Sequence, residues 1–268
     1  MKRSDTSFSP YIGITDFMTR NQTLEMLSCF HAAPRCNTSH KLMVGVMMSH
    51  KTLNGLDTKW TKAFPANEQI SDIFVRSPLA FNTLHYADYT NTDVFNSLTR
   101  AISCGGININ ALQLDMIWPE PADVSSAVNA SRKCISVILQ IGKKAMTDAN
   151  DSPHEVVKRL WDYVGVIDGV LFDKSMGTGK PMDAEVLLPY IEAVYEHFPT
   201  MRVAVAGGLG PRTMQVAEPL ISRFPDISID AQGRLRPSGS ALDPIDWELA
   251  KKYLKEAKKL FDKYRLVN

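Results

Sequence analysis

GVLFDKSMGTGK at residues 169–180, followed after a helical segment by VAVAGGLGP at 203–211, is the part of the chain from which the fold is read. Each half is a short apolar run that stops in glycines, as a buried parallel strand does when it delivers a tight turn. Asp173 stands where the first run ends. Gly177 and Gly179 in one turn, and Gly207, Gly208 and Gly210 in the other, leave backbone N–H groups without side-chain cover. Pro211 is then expected to open a helix. Glycine turns leading into a helix N-terminus suit anions, because the N–H groups point outward and the helix dipole favours negative charge.

Outward from this pair, the same alternation covers the chain. Apolar runs at 11–15, 42–48, 81–86, 111–116, 135–141, 170–172, 203–206 and 227–230 read as eight strands. Helical spacing fills the gaps at 22–33 (capped by Thr19), 68–75, 93–103, 126–133, 183–198, 214–224 and 246–264. Ser152-Pro153-His154-Glu155 predicts a further helix, with Ser152 as N-cap, Pro153 in the first turn and Glu155 completing a capping box. Eight alternating units predict an α/β fold, a (β/α)8 TIM barrel, over residues 11–268, with 1–10 as a flexible extension. The alternative is an open doubly wound sheet. It is disfavoured because GGLG is not a GxGxxG fingerprint and comes late in the chain.

The totals agree with one such domain: 268 residues and 44% hydrophobic content suffice for a barrel. Thirty Lys+Arg against 29 Asp+Glu leave a net charge of +1, so no global field favours nucleic acid or an anionic membrane. Cys29, Cys36, Cys104 and Cys134 form no CxxC pair, as expected of a reduced, cytoplasmic protein. The first ten residues lack an apolar signal segment, and the six histidines show no metal spacing. No cofactor or metal is expected.

In a barrel of this kind the functional groups lie at the C-terminal ends of the strands, with phosphate commonly after strands seven and eight. Those ends are Gly207, Gly208, Leu209 and Gly210, and then Gln232, Gly233 and Arg234, the arginine adding a charge-assisted contact. Strand parity puts Asp173 on the same face as Leu171, and Gln113 and Asp115 on the same face as Ala111. Asp115 and Asp173 are therefore expected to look into one cavity and to divide acid and base roles, with Asp16 as a further candidate base. The opposing reading pairs Asp115 or Asp173 with Lys143, Lys144 or Lys174. Gln113, His85, Gly177, Thr178, Gly179 and Lys51 are candidate ligand contacts. Lys51 lies in the long polar loop 51–67, of a length that often serves as a lid or binding loop.

The motifs resemble those of the phosphoribosylanthranilate isomerase family of tryptophan biosynthesis. Tyr-Ile-Gly-Ile-Thr at 11–15 is similar to the family's first strand, and Gln113-Leu114-Asp115 to its fourth. Leu171-Phe172-Asp173 with Met176-Gly177-Thr178-Gly179-Lys180 is similar to its sixth, and Val205-Ala206-Gly207-Gly208-Leu209-Gly210-Pro211 to its seventh. The resemblance implies a TIM barrel of the phosphate-binding, ribulose-phosphate-binding type, that Asp173 is the general acid, and that Gly207, Gly208 and the loop around Gly233 hold phosphate. The chain departs from the family in three places. The family's catalytic cysteine falls on Ile12, its paired serines after strand eight become Ala231-Gln232, and its anthranilate-binding arginine has no clear counterpart. Two functions follow as expectations: an acid–base isomerase of a phosphorylated sugar derivative, or a protein that kept the phosphate site and lost the chemistry. A homodimer is the expected assembly.

Overall fold

The computed structural model describes residues 8–33, 39–61, 63–173, 181–240 and 242–265. Eight parallel strands close on themselves in sequence order: β1 (Tyr11–Thr15), β2 (Lys41–Ser49), β3 (Ala80–Asp88), β4 (Ala111–Met116), β5 (Ser136–Gly142), β6 (Gly169–Asp173), β7 (Arg202–Ala206) and β8 (Ser228–Ala231). Closure is made by β1 on β8, with Ile12 beside Ile229, Gly13 beside Asp230 and Ile14 beside Ala231. The chain is a (β/α)8 TIM barrel.

Between the strands run α1 (Arg20–Ala32), α2 (His50–Leu53), α3 (Ile70–Ile73), α4 (Val94–Cys104), α5 (Pro121–Ala130), α6 (Lys143–Asp148), α7 (Pro153–Leu160), α8 (Ala184–His197) and α9 (Glu218–Arg223). The last, α10 (Trp247–Arg265), closes the chain. Thr19 and Gln22 form a reciprocal capping box at the start of α1, an arrangement worth about 1 kcal/mol. At α7 the box is half made. Ser152 accepts from the Glu155 N–H, but the Glu155 carboxylate turns to Lys158 and His154 instead.

Some helices differ from the periodicity. The expected 68–75 helix is a 3-10 turn (Asn67–Gln69) and the single turn α3, because the side-chain amides of Asn108 and Asn82 take the carbonyls of Phe74 and Val75 and draw that backbone out straight. The α5 helix starts five residues early, at Pro121, whose fixed φ suits a first helical turn. The α6 helix was not anticipated.

Side-chain alternation divides the interior. Ile12, Val44, Leu112, Leu139, Phe172, Val205 and Ile229 face outward into one large core beneath the helices. Tyr11, Met43, Phe81, Ala111, Ile138, Leu171 and Ala204 point inward and fill the lower barrel, with Phe8 packed beneath them. Phe8 stands edge-on to Phe81 at 5.1 Å, and Pro10 accepts a backbone bond from Lys41. The expected extension over 1–10 therefore gives way to packed structure by Phe8; residues 1–7 lie outside the described residues. Among the described residues, no helix is long and apolar enough to cross a membrane.

Candidate functional site

Above the apolar floor, the inward positions turn polar. Thr15, His85, Gln113, Gln140, Asp173 and Asp230 are all buried at the C-terminal ends of their strands. Thr15, His85, Gln140, Asp173 and Asp230 line a small pocket of about 30 Å³, whose rim is Gly207, Gly208, Gln232 and Gly233. This pocket opens past His85, Gln140, Asp173 and Gln232 into a wider cleft bounded by Asp16, Lys51, Trp60, Phe64, Tyr89 and Asp115. Asp115 and Asp173 thus face one cavity, as parity predicted.

Asp230 is the carboxylate that sequence reasoning passed over. Its two oxygens accept from the Thr15 hydroxyl at 3.1 and 2.9 Å. Gly13 leaves the room it occupies: a Cβ there would lie 2.7 Å from Asp230 Oδ1. Burial, with Asp173 and Asp16 nearby, pushes the Asp230 carboxyl up to about 7 against the pull of Thr15. The available signal was parity, since Ser228 and Asp230 share the inward face of β8.

Asp115 accepts from the Tyr89 hydroxyl at 2.6 Å, and Lys144 lies over the Tyr89 ring at 4.8 Å. Burial raises the Asp115 carboxyl, and Tyr89 and Lys144 hold it down in part. The lysine partner of the opposing reading is thus replaced by a tyrosine, with Lys144 one layer out. Asp16, just beyond β1 with φ at +93°, is clamped by Arg236, and Gln232 Nε2 donates to it at 3.0 Å. Arg236 also donates to the carbonyls of Gln232 and Asp243, so the pair ties the start of the barrel to the loop after β8. A carboxylate so held is an anchor rather than a free base. Arg236 was not foreseen.

The turns after β7 and β8 come together. Gly207 and Gly208 adopt φ of +133° and +61°, which disfavour a side chain. A Cβ on Gly210 would stand 2.8 Å from the Arg234 Cβ, so the turns after β7 and β8 abut. Leu209 sends its side chain into the outer core. Pro211 does not open a helix: Thr213 bonds back to the carbonyls of Gly208 and Gly210, a 3-10 turn follows at Met214–Ala217, and α9 begins only at Glu218. After β8 there is likewise one 3-10 turn, Gly233–Leu235. An anion here would meet local backbone N–H groups, with little help from a helix dipole; Arg234 is exposed and is not among the residues that line the pocket or the cleft. Gly177, Thr178 and Gly179 lie outside the described residues. Lys51 sits on α2 at the far side of the cleft. Ile12 faces the helix layer, so no side chain at that position reaches the cavity.

No protein-family profile matches the chain, and no curated protein sequence matches it. Solved structures do. KGPDC from Streptococcus mutans aligns with a TM-score of 0.52 at 11% identity, over 94% of this chain and 98% of that one. The tryptophan synthase alpha chain from Legionella pneumophila subsp. pneumophila gives 0.52 at 8% identity, over 95% and 92%. The likeness is one of fold. It supports the barrel, and it gives phosphoribosylanthranilate isomerase no support beyond the motifs themselves.

Proposed function

We propose that this barrel is an enzyme of the phosphate-binding type that isomerises a phosphorylated sugar derivative by acid–base chemistry. The observation that carries the reading is a deep pocket and the cleft it opens into, which together join three buried or half-buried carboxylates, Asp173, Asp230 and Asp115, to the glycine turns at Gly207, Gly208 and Gly233. In this reading the turns, with Arg234 behind them, hold the phosphate. Asp173 is the acid, Asp115 the base, and Asp230, part-protonated near neutrality, keeps a proton available at the pocket floor. With Ile12 turned outward, the base must come from another strand, and β4 supplies one. A cytoplasmic setting accords with Cys29, Cys104 and Cys134, all free thiols.

The second reading is a non-catalytic ligand-binding or regulatory protein, favoured by the 2.6 Å bond that commits Asp115 to Tyr89. One experiment separates them. Ribose 5-phosphate and phosphoribosylanthranilate are offered to wild type and to Asp173→Asn, with turnover followed by NMR and binding by thermal shift. The enzyme reading expects Asp173→Asn to lose at least ~100-fold in turnover while inorganic phosphate still raises its Tm. Undiminished turnover in the variant sinks the assignment of Asp173. Binding without turnover in wild type selects the second reading.

A further inference from the structure

His85 sits where the deep pocket meets the outer cleft, and it lines both. Its neighbours in strand register are Met47 on β2 and Gln113 on β4. Gln113 is fully buried and uses its amide hydrogens in two directions, toward Gln140 Oε1 at 3.1 Å and toward His85 Nδ1 at 3.2 Å. The ring nitrogen Nδ1 is therefore an acceptor, and the imidazole proton resides on Nε2. That Nε2 is buried and has no hydrogen-bond partner among the described residues. The Asp115 Oδ2 oxygen is 4.0 Å away, too far for a bond. A donor oriented from behind and left unmatched in front, at the junction of the deep pocket and the outer cleft, is what a preorganised site for a developing negative oxygen requires.

We propose that the neutral Nε2–H of His85 donates to a carbonyl oxygen of the ligand, and that the substrate is an open-chain α-hydroxycarbonyl sugar phosphate; the inference rests on the phosphate-binding isomerase reading above. The chemistry balances without an oxidant or a co-reactant. A carboxylate takes the proton from the carbon beside the carbonyl. The electron pair of the broken C–H bond forms the C=C of an enediolate, and the carbonyl π pair moves onto oxygen, where His85 donates its hydrogen bond. The proton of the adjacent hydroxyl passes to the former carbonyl oxygen. The carbon-bound proton is then returned to the former carbonyl carbon, leaving the carbonyl one position along. His85 stays neutral throughout, because burial lowers its ring to about 4 despite the attraction of Asp16 and Asp173. A neutral imidazole suits the role, since it donates without giving up its proton.

Two measurements test this. The first needs no ligand: 15N NMR of histidine-labelled wild type, titrated from pH 8 to 5. The expected result is that the buried ring whose signals are lost in His85→Leu remains the neutral Nε2–H tautomer throughout. Protonation above pH 6, or an Nδ1–H tautomer, overturns the inference. The second compares inorganic phosphate, ribose 5-phosphate and the phosphorylated four-carbon hydroxamate that mimics its enediolate. Wild type is expected to bind the hydroxamate more tightly than ribose 5-phosphate. His85→Leu should erase that preference by ~100-fold and leave the phosphate Kd within about twofold, as a group acting only on the developing oxygen requires. His85→Gln, a neutral donor, should restore part of it. An equal loss for all three probes, or no preference in wild type, overturns the inference. If wild type binds inorganic phosphate no better than buffer, the phosphate-site reading fails, and the tautomer titration still decides the state of His85.

Discussion

Replacing Asp230 with Asn should make the protein more stable at neutral pH. The group titrates near 7 when folded, against an ordinary 3.8. Between those values the native state holds a proton that the unfolded chain has released. Stability therefore falls as pH rises through that window. At about 1.4 kcal/mol per pH unit, the native state has lost about 4 kcal/mol by pH 7 through this one carboxyl. An asparagine fills the same space beside Gly13, still offers Thr15 an acceptor, and cannot ionise. The buried His85 ring works in the opposite sense. It titrates at about 4 folded against 6.5 ordinarily. The unfolded state takes up a proton first as pH falls, so stability rises with pH between about 4 and 6.5, by about 3 kcal/mol. In wild type the two slopes nearly cancel over that range. Urea unfolding followed by circular dichroism at half-unit pH steps exposes them. Asp230→Asn should gain little near pH 4 and about 4 kcal/mol at pH 7, with an unchanged m-value, and its stability should climb with pH where wild type is flat. A variant equal to or weaker than wild type at pH 7 would refute the reasoning, because it would mean that the native fold welcomes the Asp230 charge.

Two further outcomes follow from the anchors of the site. Arg236→Met removes the guanidinium from a buried Asp16 and should cost about 3–5 kcal/mol in the same urea assay, the penalty of stranding a buried charge; a loss under 1 kcal/mol would show that Asp16 is not ionised in the native state. Gly210→Ala brings a Cβ to 2.8 Å from the Arg234 Cβ and must part the two turns. Phosphate affinity measured by calorimetry should fall by ~10-fold, and an unchanged Kd would mean that these turns do not hold the anion together.

The strands were legible because each carries its own evidence. Strands of four to nine residues alternate with helical spacing, and a period of two assigns faces without reference to anything distant. That is why Gln113 and Asp115 could be turned inward on the strength of Ala111, and Asp173 on the strength of Leu171. Capping was legible at Thr19 for the same reason, the partners being three residues apart. Where a distant side chain intervened, local reading failed. Asn82 and Asn108 straighten the backbone after α3, and Thr213 folds back on Gly208 where a helix was expected.

The sequence alone determined that this chain is a (β/α)8 barrel and which strand ends form its mouth, since periodicity and glycine turns are encoded among near neighbours. Tertiary structure alone decided which polar groups at that mouth meet. Thr15 reaches Asp230 across 215 residues and Arg236 reaches Asp16 across 220. Gln113 meets His85 at a distance of 28, in a register that only the paired strands define. The charge state of each group depends on what closure buries beside it. Barrel closure makes the two chain ends neighbours, and no local pattern in the sequence specifies which side chains then face each other.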